Sequence, residues 1–227
     1  MKVAVWGTGQ YYERGIAYLK DYGHEIAEKD EKADVLICLA HPEILKRDTL
    51  SRFKHCINFH CGLPDYRGRH PLQWMLIDGM KRIPCAVHYM DEDIDTGDII
   101  VESSFEVSRN ETYATALEKV LALVGPLLVS ALFHIGNDSV KRKKQPSGRY
   151  WPKRTQKDSQ FSFNQPSIAV HRFVNALSDG GMPNAFSDGL TYKRSYIGEI
   201  PGNIIDTTVS GKYIVATADG IVMLERA

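Results

Sequence analysis

The chain has 227 residues, 43% of them hydrophobic, enough for one main domain and a smaller remainder. Lys+Arg and Asp+Glu each number 28, a formal net charge of +0. No global field therefore draws the chain to nucleic acid or to an anionic membrane, and a partner must be recognised locally. Cys38, Cys56, Cys61 and Cys85 make no Cys-x-x-Cys pair, and no secretory leader precedes them. That pattern predicts reduced thiols, no structural disulfide and a cytoplasmic location.

Residues 2–6 read as a short apolar strand, and Gly7-Thr8-Gly9 as a tight turn into a helix over 11–22. This is a Rossmann-type opening without the third glycine of Gly-x-Gly-x-x-Gly, since position 12 is Tyr, so dinucleotide binding carries little weight. A strand is expected at 24–27, a solvated charged loop at 28–32, and a fully apolar, buried parallel strand at 35–39. The stretch 57–60 reads as a strand that puts Asn58 and His60 on one face and Phe59 on the other. Gly62, Pro64, Tyr66, Arg67 and Gly68 end it in a loop over its carboxyl end, where open α/β sheets bind ligands. A helix over 71–79 and a central strand over 85–90 follow. The turn Asp95-Thr96-Gly97-Asp98 then opens onto the apolar pair Ile99 and Ile100.

Another strand is expected at 103–107. Asn110 is the expected cap of a long helix whose Ala114, Leu117, Val120, Leu121, Val124, Leu127 and Leu128 share one face. The uncharged run 120–137 approaches the length of a membrane span, but Gly125, Pro126 and His134 interrupt it, so it reads as a buried core helix. The basic tetrad 141–144 reads as a solvated edge. Pro146-Ser147-Gly148 marks a boundary, dividing the chain into 1–148 and 149–227. The second part holds a helix over 167–177, a loop over 178–181 and short strands near 190–196, 202–205, 213–217 and 221–224. The expected fold class is α/β, a Rossmann-like core with a mostly parallel sheet, plus a small C-terminal helix and β appendage.

An amide and an imidazole lie side by side on the strand, and a carboxylate that returns to such a pair can orient the imidazole and stabilise its charged form. His55, His60 and His88 with Cys56 and Cys61 match no standard zinc spacing, so no metal is expected. The motifs INFHCGLPDYRGRHPLQW and VHYMDEDIDTGDII together resemble the enzymes that transfer a formyl group from N10-formyltetrahydrofolate, with their Asn-x-His pair, Leu-Pro-x-Tyr-Arg-Gly loop and Asp-x-Gly turn. The resemblance continues through Tyr150-Trp151-Pro152-Lys153-Arg154-Thr155 and Asp158, so it covers most of the chain.

The resemblance implies that Asn58, His60 and Asp95 are catalytic and that Asp95 fixes the His60 tautomer. It implies N10-formyltetrahydrofolate as co-substrate, placed against His41, Ile44 and Leu45 and against Asp91 and Asp93. The family usually fits a further helix before the strand at 35–39, so the N-terminal half is short. Within the family, Gly68 to Trp74 and the Lys-Arg-Thr segment look like the branch that formylates nucleotide-linked amino sugars, such as a dTDP-4-amino-4,6-dideoxyhexose, for lipopolysaccharide O-antigen biosynthesis. Tyr66 and Arg67 are then expected either to line the substrate entrance or to brace their own loop, and Tyr150, Lys153 and Arg154 at the substrate, the last two as cations for a diphosphate. No nucleic acid and no membrane are expected as partners, and a homodimer is left open. Methionyl-tRNA formyltransferase shares the triad and is the alternative function. A non-catalytic folate or nucleotide-binding module is the alternative from another class.

Overall fold

A five-residue run with no polar member forms a strand only where both faces of the sheet are covered, and this sets the centre of the molecule. In the computed structural model, which describes residues 1–28, 31–180, 183–187, 189–197, 212–217 and 220–226, the elements in chain order begin with β1 (Lys2–Gly7), α1 (Gly9–Asp21), β2 (Glu25–Ile26) and β3 (Val35–Leu39). Then come α2 (Arg47–Leu50), β4 (His55–Cys61), β5 (Arg67–Gly68), α3 (Pro71–Ile77), β6 (Arg82–Tyr89), β7 (Ile99–Glu106) and α4 (Tyr113–Gly136). The chain closes with β8 (Tyr150–Trp151), a 3-10 turn (Gln156–Ser159), α5 (Ser167–Ala176), β9 (Ala185–Ser187), β10 (Leu190–Ile197), β11 (Lys212–Ala216) and β12 (Ile221–Arg226).

The main sheet has the order β2-β1-β3-β4-β6-β7. β2, β1, β3 and β4 run parallel, and β6 is antiparallel to β4. All five residues of β3 are buried. Leu36 and Cys38 pack with Ala4 and Cys56 in one cluster. On the α1 and α4 side, Gly15 of α1 comes so close to Leu39 and Leu128 that a Cβ there would lie 2.4 Å from a Leu39 methyl. Each fully buried Leu or Ile contributes roughly 1.5–3 kcal/mol relative to exposure, so this doubly covered strand anchors the sheet.

By length and composition α4 is apolar enough to cross a membrane, but half of its most apolar 18-residue window is buried inside the protein. Val120, Val124 and Leu128 are fully buried, and the helix runs through an exposed Pro126. Its cap is Thr112, not Asn110. The Thr112 hydroxyl accepts from the Thr115 backbone N–H at 3.2 Å, while Glu111 is drawn inward to accept from the Ser108 N–H at 2.9 Å.

The chain folds into two compact units. The first comprises Met1–Gly68, Ile83–Phe105 and Glu118–Trp151, and the second Arg69–Arg82, Glu106–Leu117 and Pro152–Ala227. Local composition carries no sign of this interleaving and suggests a single cut after residue 148. The second unit holds an antiparallel sheet of order β11-β12-β10-β9. Phe161, Val170, Val174, Leu177, Tyr192, Val222 and Leu224 form its core. The strand expected at 202–205 lies outside the described residues, as do residues 29–30 of the charged loop and 181 of the loop after α5. The strand expected at 24–27 shrinks to two residues.

Candidate active site

Asn58 and His60 lie on one face of β4, as the period of a strand requires. The antiparallel partner β6 sets His88 directly opposite Asn58 and Ala86 opposite His60. The turn between β6 and β7 then delivers Asp95 in the left-handed region, at φ 55, which Asp tolerates better than most residues. Two residues hold this turn. A Cβ at Gly97 would lie 1.9 Å from the Tyr89 carbonyl oxygen, so only glycine fits. Gln145 Nε2 donates to the carbonyl oxygens of Asp95 and Gly97, at 3.2 and 2.6 Å.

Asp95 is the hub of the cluster. Its Oδ2 accepts from the Gly68 backbone N–H at 2.8 Å and lies 3.5 Å from His60 Nδ1. Its Oδ1 accepts from Asn58 Nδ2 at 3.3 Å and lies 3.6 Å from His88 Nε2. Burial alone would raise this carboxyl's pKa. The charge of His60, with the Gly68 N–H, opposes that effect, and the carboxyl is held well below the usual carboxylate range.

His60 Nε2 lies 2.8 Å from the Tyr66 carbonyl oxygen, which can only accept, so Nε2 carries a hydrogen. The nitrogen left to gain a proton is Nδ1, facing Asp95. The expected division of labour is thereby corrected: the Tyr66 carbonyl sets the tautomer, and Asp95 stabilises the charged ring. His88 is the residue that sequence reasoning missed. It is 1% exposed, and its Nε2 lies 3.1 Å from Asn58 Nδ2. The only signal for it is its period-two spacing from Ala86 on a strand whose register with β4 no local motif reveals.

The loop after β4, with a cis Leu63–Pro64 bond, is tied down by the two-residue ladder of β5 with β8. Tyr66 is buried and stacks on Trp151, ring centroids 5.4 Å apart. Arg67 Nη2 donates to the Pro146 carbonyl at 2.8 Å. Both brace the loop in this structure. Tyr150 is different: it is 52% exposed, and its ring lies across Gly68, where a Cβ would come within 2.7 Å of it. It therefore sits beside the backbone N–H that holds Asp95.

Lys153 and Arg154 belong to the second unit and point to different environments. Lys153 is exposed. Arg154, expected at a diphosphate, is 3% exposed; its Nη2 donates to the Asp158 carbonyl at 2.7 Å and to the Ser159 hydroxyl at 3.1 Å. Its guanidinium lies 5.2 Å from the centre of the Trp74 ring. Burial lowers its pKa to about 10, partly countered by Asp158. A cation so enclosed braces the segment, because its long apolar stem and planar head fill space under it.

The two loops expected to wall the folate do meet. Leu45 and Met90 pack on the same cluster, and Arg47 Nε lies 3.2 Å from Glu92 Oε1. His41 lies against Trp6, ring centroids 6.2 Å apart, and Ile44 is 67% exposed. Asp91 accepts from the Thr96 hydroxyl at 2.6 Å, and Asp93 is exposed.

Fold and site together define an α/β protein with a titratable cluster on a central strand beside the loop at its carboxyl end, the usual place for ligand chemistry in such sheets. A family model described as Formyl transferase matches residues 7–132, more than half of the chain and inclusive of Asn58, His60 and Asp95. The chain belongs to the formyl transferase family. It is 30% identical over 205 residues to the methionyl-tRNA formyltransferase of Clostridium tetani, covering 85% of this chain and 66% of that protein. It thus spans about two thirds of the length of that curated relative.

Among solved structures, the N-formyltransferase of Helicobacter canadensis, in complex with folinic acid and dTDP-3-aminofucose, superposes with a TM-score of 0.81 at 16% identity, covering 100% of this chain and 99% of that one. WlaRD, a sugar 3N-formyl transferase solved in the presence of dTDP and 5-N-formyl-THF, gives 0.81 at 17% identity, with 100% and 97% covered. These structural likenesses establish the fold.

Proposed function

We propose that the protein transfers a formyl group from N10-formyltetrahydrofolate to the amine of a nucleotide-linked amino sugar. The observation that carries the chemistry is the half-buried Asp95 carboxylate in contact with Asn58 and the Nδ1 face of His60. The neutral amine attacks the formyl carbon, and an amide hydrogen of Asn58 stabilises the oxygen as it gains charge. His60 Nδ1 takes the proton released as the C–N bond forms, becoming an imidazolium that Asp95 stabilises. The same proton then passes to the leaving N10 of tetrahydrofolate, so the transfer is balanced with no other reactant. On this reading His41, Ile44, Leu45, Asp91 and Asp93 serve the donor, and Tyr150, beside Gly68, serves the acceptor.

The sugar acceptor is supported by the dTDP-3-aminofucose bound to one structural neighbour, by the dTDP present with the other, itself a sugar 3N-formyl transferase, and by a charge balance of +0, which offers no field for tRNA. One observation favours methionyl-tRNA as acceptor: the sequence relatives at 27–32% identity are methionyl-tRNA formyltransferases. The deciding experiment presents the formyl donor with dTDP-linked 3-amino and 4-amino sugars, the corresponding free amino sugars, and methionyl-tRNA. Formylation of a nucleotide-linked amine, much faster than of its free form, is expected, because remote binding of the diphosphate is used in the transition state. Transfer to methionyl-tRNA alone, with a steep salt dependence, refutes the sugar reading.

A further inference from the structure

We propose that His88 is a positioning residue for the transfer reaction: it fixes the Asn58 amide so that one N–H is directed away from Asp95 and is free for the formyl oxygen. This rests on the formyl-transfer reading and deepens it. His88 Nδ1 lies 2.7 Å from the Tyr89 carbonyl oxygen, which only accepts, so Nδ1 carries the hydrogen and Nε2 of the neutral ring keeps its lone pair. That lone pair faces Asn58 at 3.1 Å and admits the nitrogen end of the amide, not its oxygen.

The separations Asn58 Nδ2 to His88 Nε2 (3.1 Å), Asn58 Nδ2 to Asp95 Oδ1 (3.3 Å) and His88 Nε2 to Asp95 Oδ1 (3.6 Å) form a triangle. It sets the two acceptors about 70° apart as seen from Nδ2, well short of the roughly 120° between the hydrogens of a planar amide. One hydrogen is therefore shared between the two acceptors, and the second points away from both. Asparagine's terminal torsion is broad and nearly two-fold, so a single acceptor would leave the amide free to swing. Two acceptors on one side remove that freedom. The lock is sealed, since His88 is buried while Asn58 is half-buried.

The test is a double-mutant cycle with His88→Leu and Asn58→Ala, and with His88→Gln beside it. His88→Leu should lower kcat about 10-fold or more, with the KM values of donor and acceptor within about 2-fold of wild type. His88→Gln, whose Oε1 can accept from Asn58, should be several-fold faster than His88→Leu. In the Asn58→Ala background, His88→Leu should cost little more, because the group it positions is gone. Equal fold-losses in both backgrounds, or a wild-type kcat in His88→Leu, would overturn the proposal. If the Leu variant does not fold, a folded His88→Gln as slow as Asn58→Ala overturns it instead. A wild-type rate in Asn58→Ala itself would refute the catalytic reading beneath it, an outcome distinct from failure of the positioning role alone.

Discussion

Asp95→Asn removes one charge and keeps the shape, so it separates what the hub does electrostatically from what it does by filling space. The carboxylate meets the Gly68 N–H at 2.8 Å, Asn58 Nδ2 at 3.3 Å, His60 Nδ1 at 3.5 Å and His88 Nε2 at 3.6 Å. An amide in its place has one accepting end. With its oxygen toward Gly68, its NH2 meets the donor Nδ2 of Asn58; turned over, it meets the Gly68 N–H instead. In both settings the His60 imidazolium loses its counter-charge. Turnover should fall about 10²–10⁴-fold, or about 3–5 kcal/mol on the barrier, the scale for losing acid–base or oxyanion machinery. Stability should change by no more than about 2 kcal/mol. Lost charge-assisted hydrogen bonds, about 1.5–3 kcal/mol each, are offset by relief of a carboxylate desolvation cost of several kcal/mol. Single-turnover formyl transfer with the acceptor selected by the screen and a thermal melt read these two quantities. A folded variant within about 3-fold of wild-type turnover would refute the hub assignment.

Acid should act through the same group. Its folded pKa is depressed, so its stabilising contribution is complete above the unfolded value of about 4 and is lost as pH falls from there toward the lower folded value. Urea midpoints of the wild type should therefore drop more steeply than those of Asp95→Asn below pH 4, and parallel curves would contradict this. Gly97→Ala forces a Cβ against the Tyr89 carbonyl and should destabilise by about 1–3 kcal/mol, read by denaturant unfolding. Arg154→Ala leaves the Asp158 carbonyl and Ser159 hydroxyl without their donor and should cost about 1–3 kcal/mol of stability. Lys153→Ala should change stability by less than about 0.5 kcal/mol and instead raise the KM of the nucleotide-linked acceptor. All four cysteines are buried, and burial pushes the thiols of Cys38 and Cys56 up to about 12 and about 11. Alkylation at pH 8 should be slow in the native protein and complete after unfolding, which mass spectrometry resolves.

Local pattern carries most of the first unit. The bounds of β3 follow from five apolar residues in a row, and α4 from apolar spacing sustained over several turns. The elements that sequence reading does not anticipate depend on distant partners. β5 and β8 are two residues each and exist only because Arg67 and Gly68 pair with Tyr150 and Trp151. Asn110 is a good cap by residue type, but Glu111 turns inward and moves the start of α4 onward to Thr112. Arginine suits phosphate, which makes Arg154 read as a phosphate ligand, and only packing on Trp74 shows where that guanidinium goes.

The proposed catalytic cluster shows the same divide within a few ångströms. Asn58 and His60 share a face through the period of one strand, which sequence shows directly. The contact of His88 with Asn58 depends on the register of β6 against β4, set by long-range pairing. A slip of one residue in β6 would send His88 to the opposite face and bring a neighbour's side chain against Asn58. The residues that oppose such a slip are not the Asn, His and Asp themselves. Gly97 permits the close approach to the Tyr89 carbonyl at the end of β6, the Tyr89 N–H donates to the Asp98 carbonyl at 2.9 Å, and Gln145 holds the turn through two carbonyls. A motif reduced to Asn, His and Asp therefore names the proposed reacting groups but omits the contacts that fix their orientation, and Gln145→Ala should reveal the difference. It leaves every catalytic side chain in place, so any loss of turnover reports on geometry alone. A loss of about 3- to 10-fold in kcat with little change in folate affinity is expected, and full wild-type kcat would mean that the turn holds Asp95 without it.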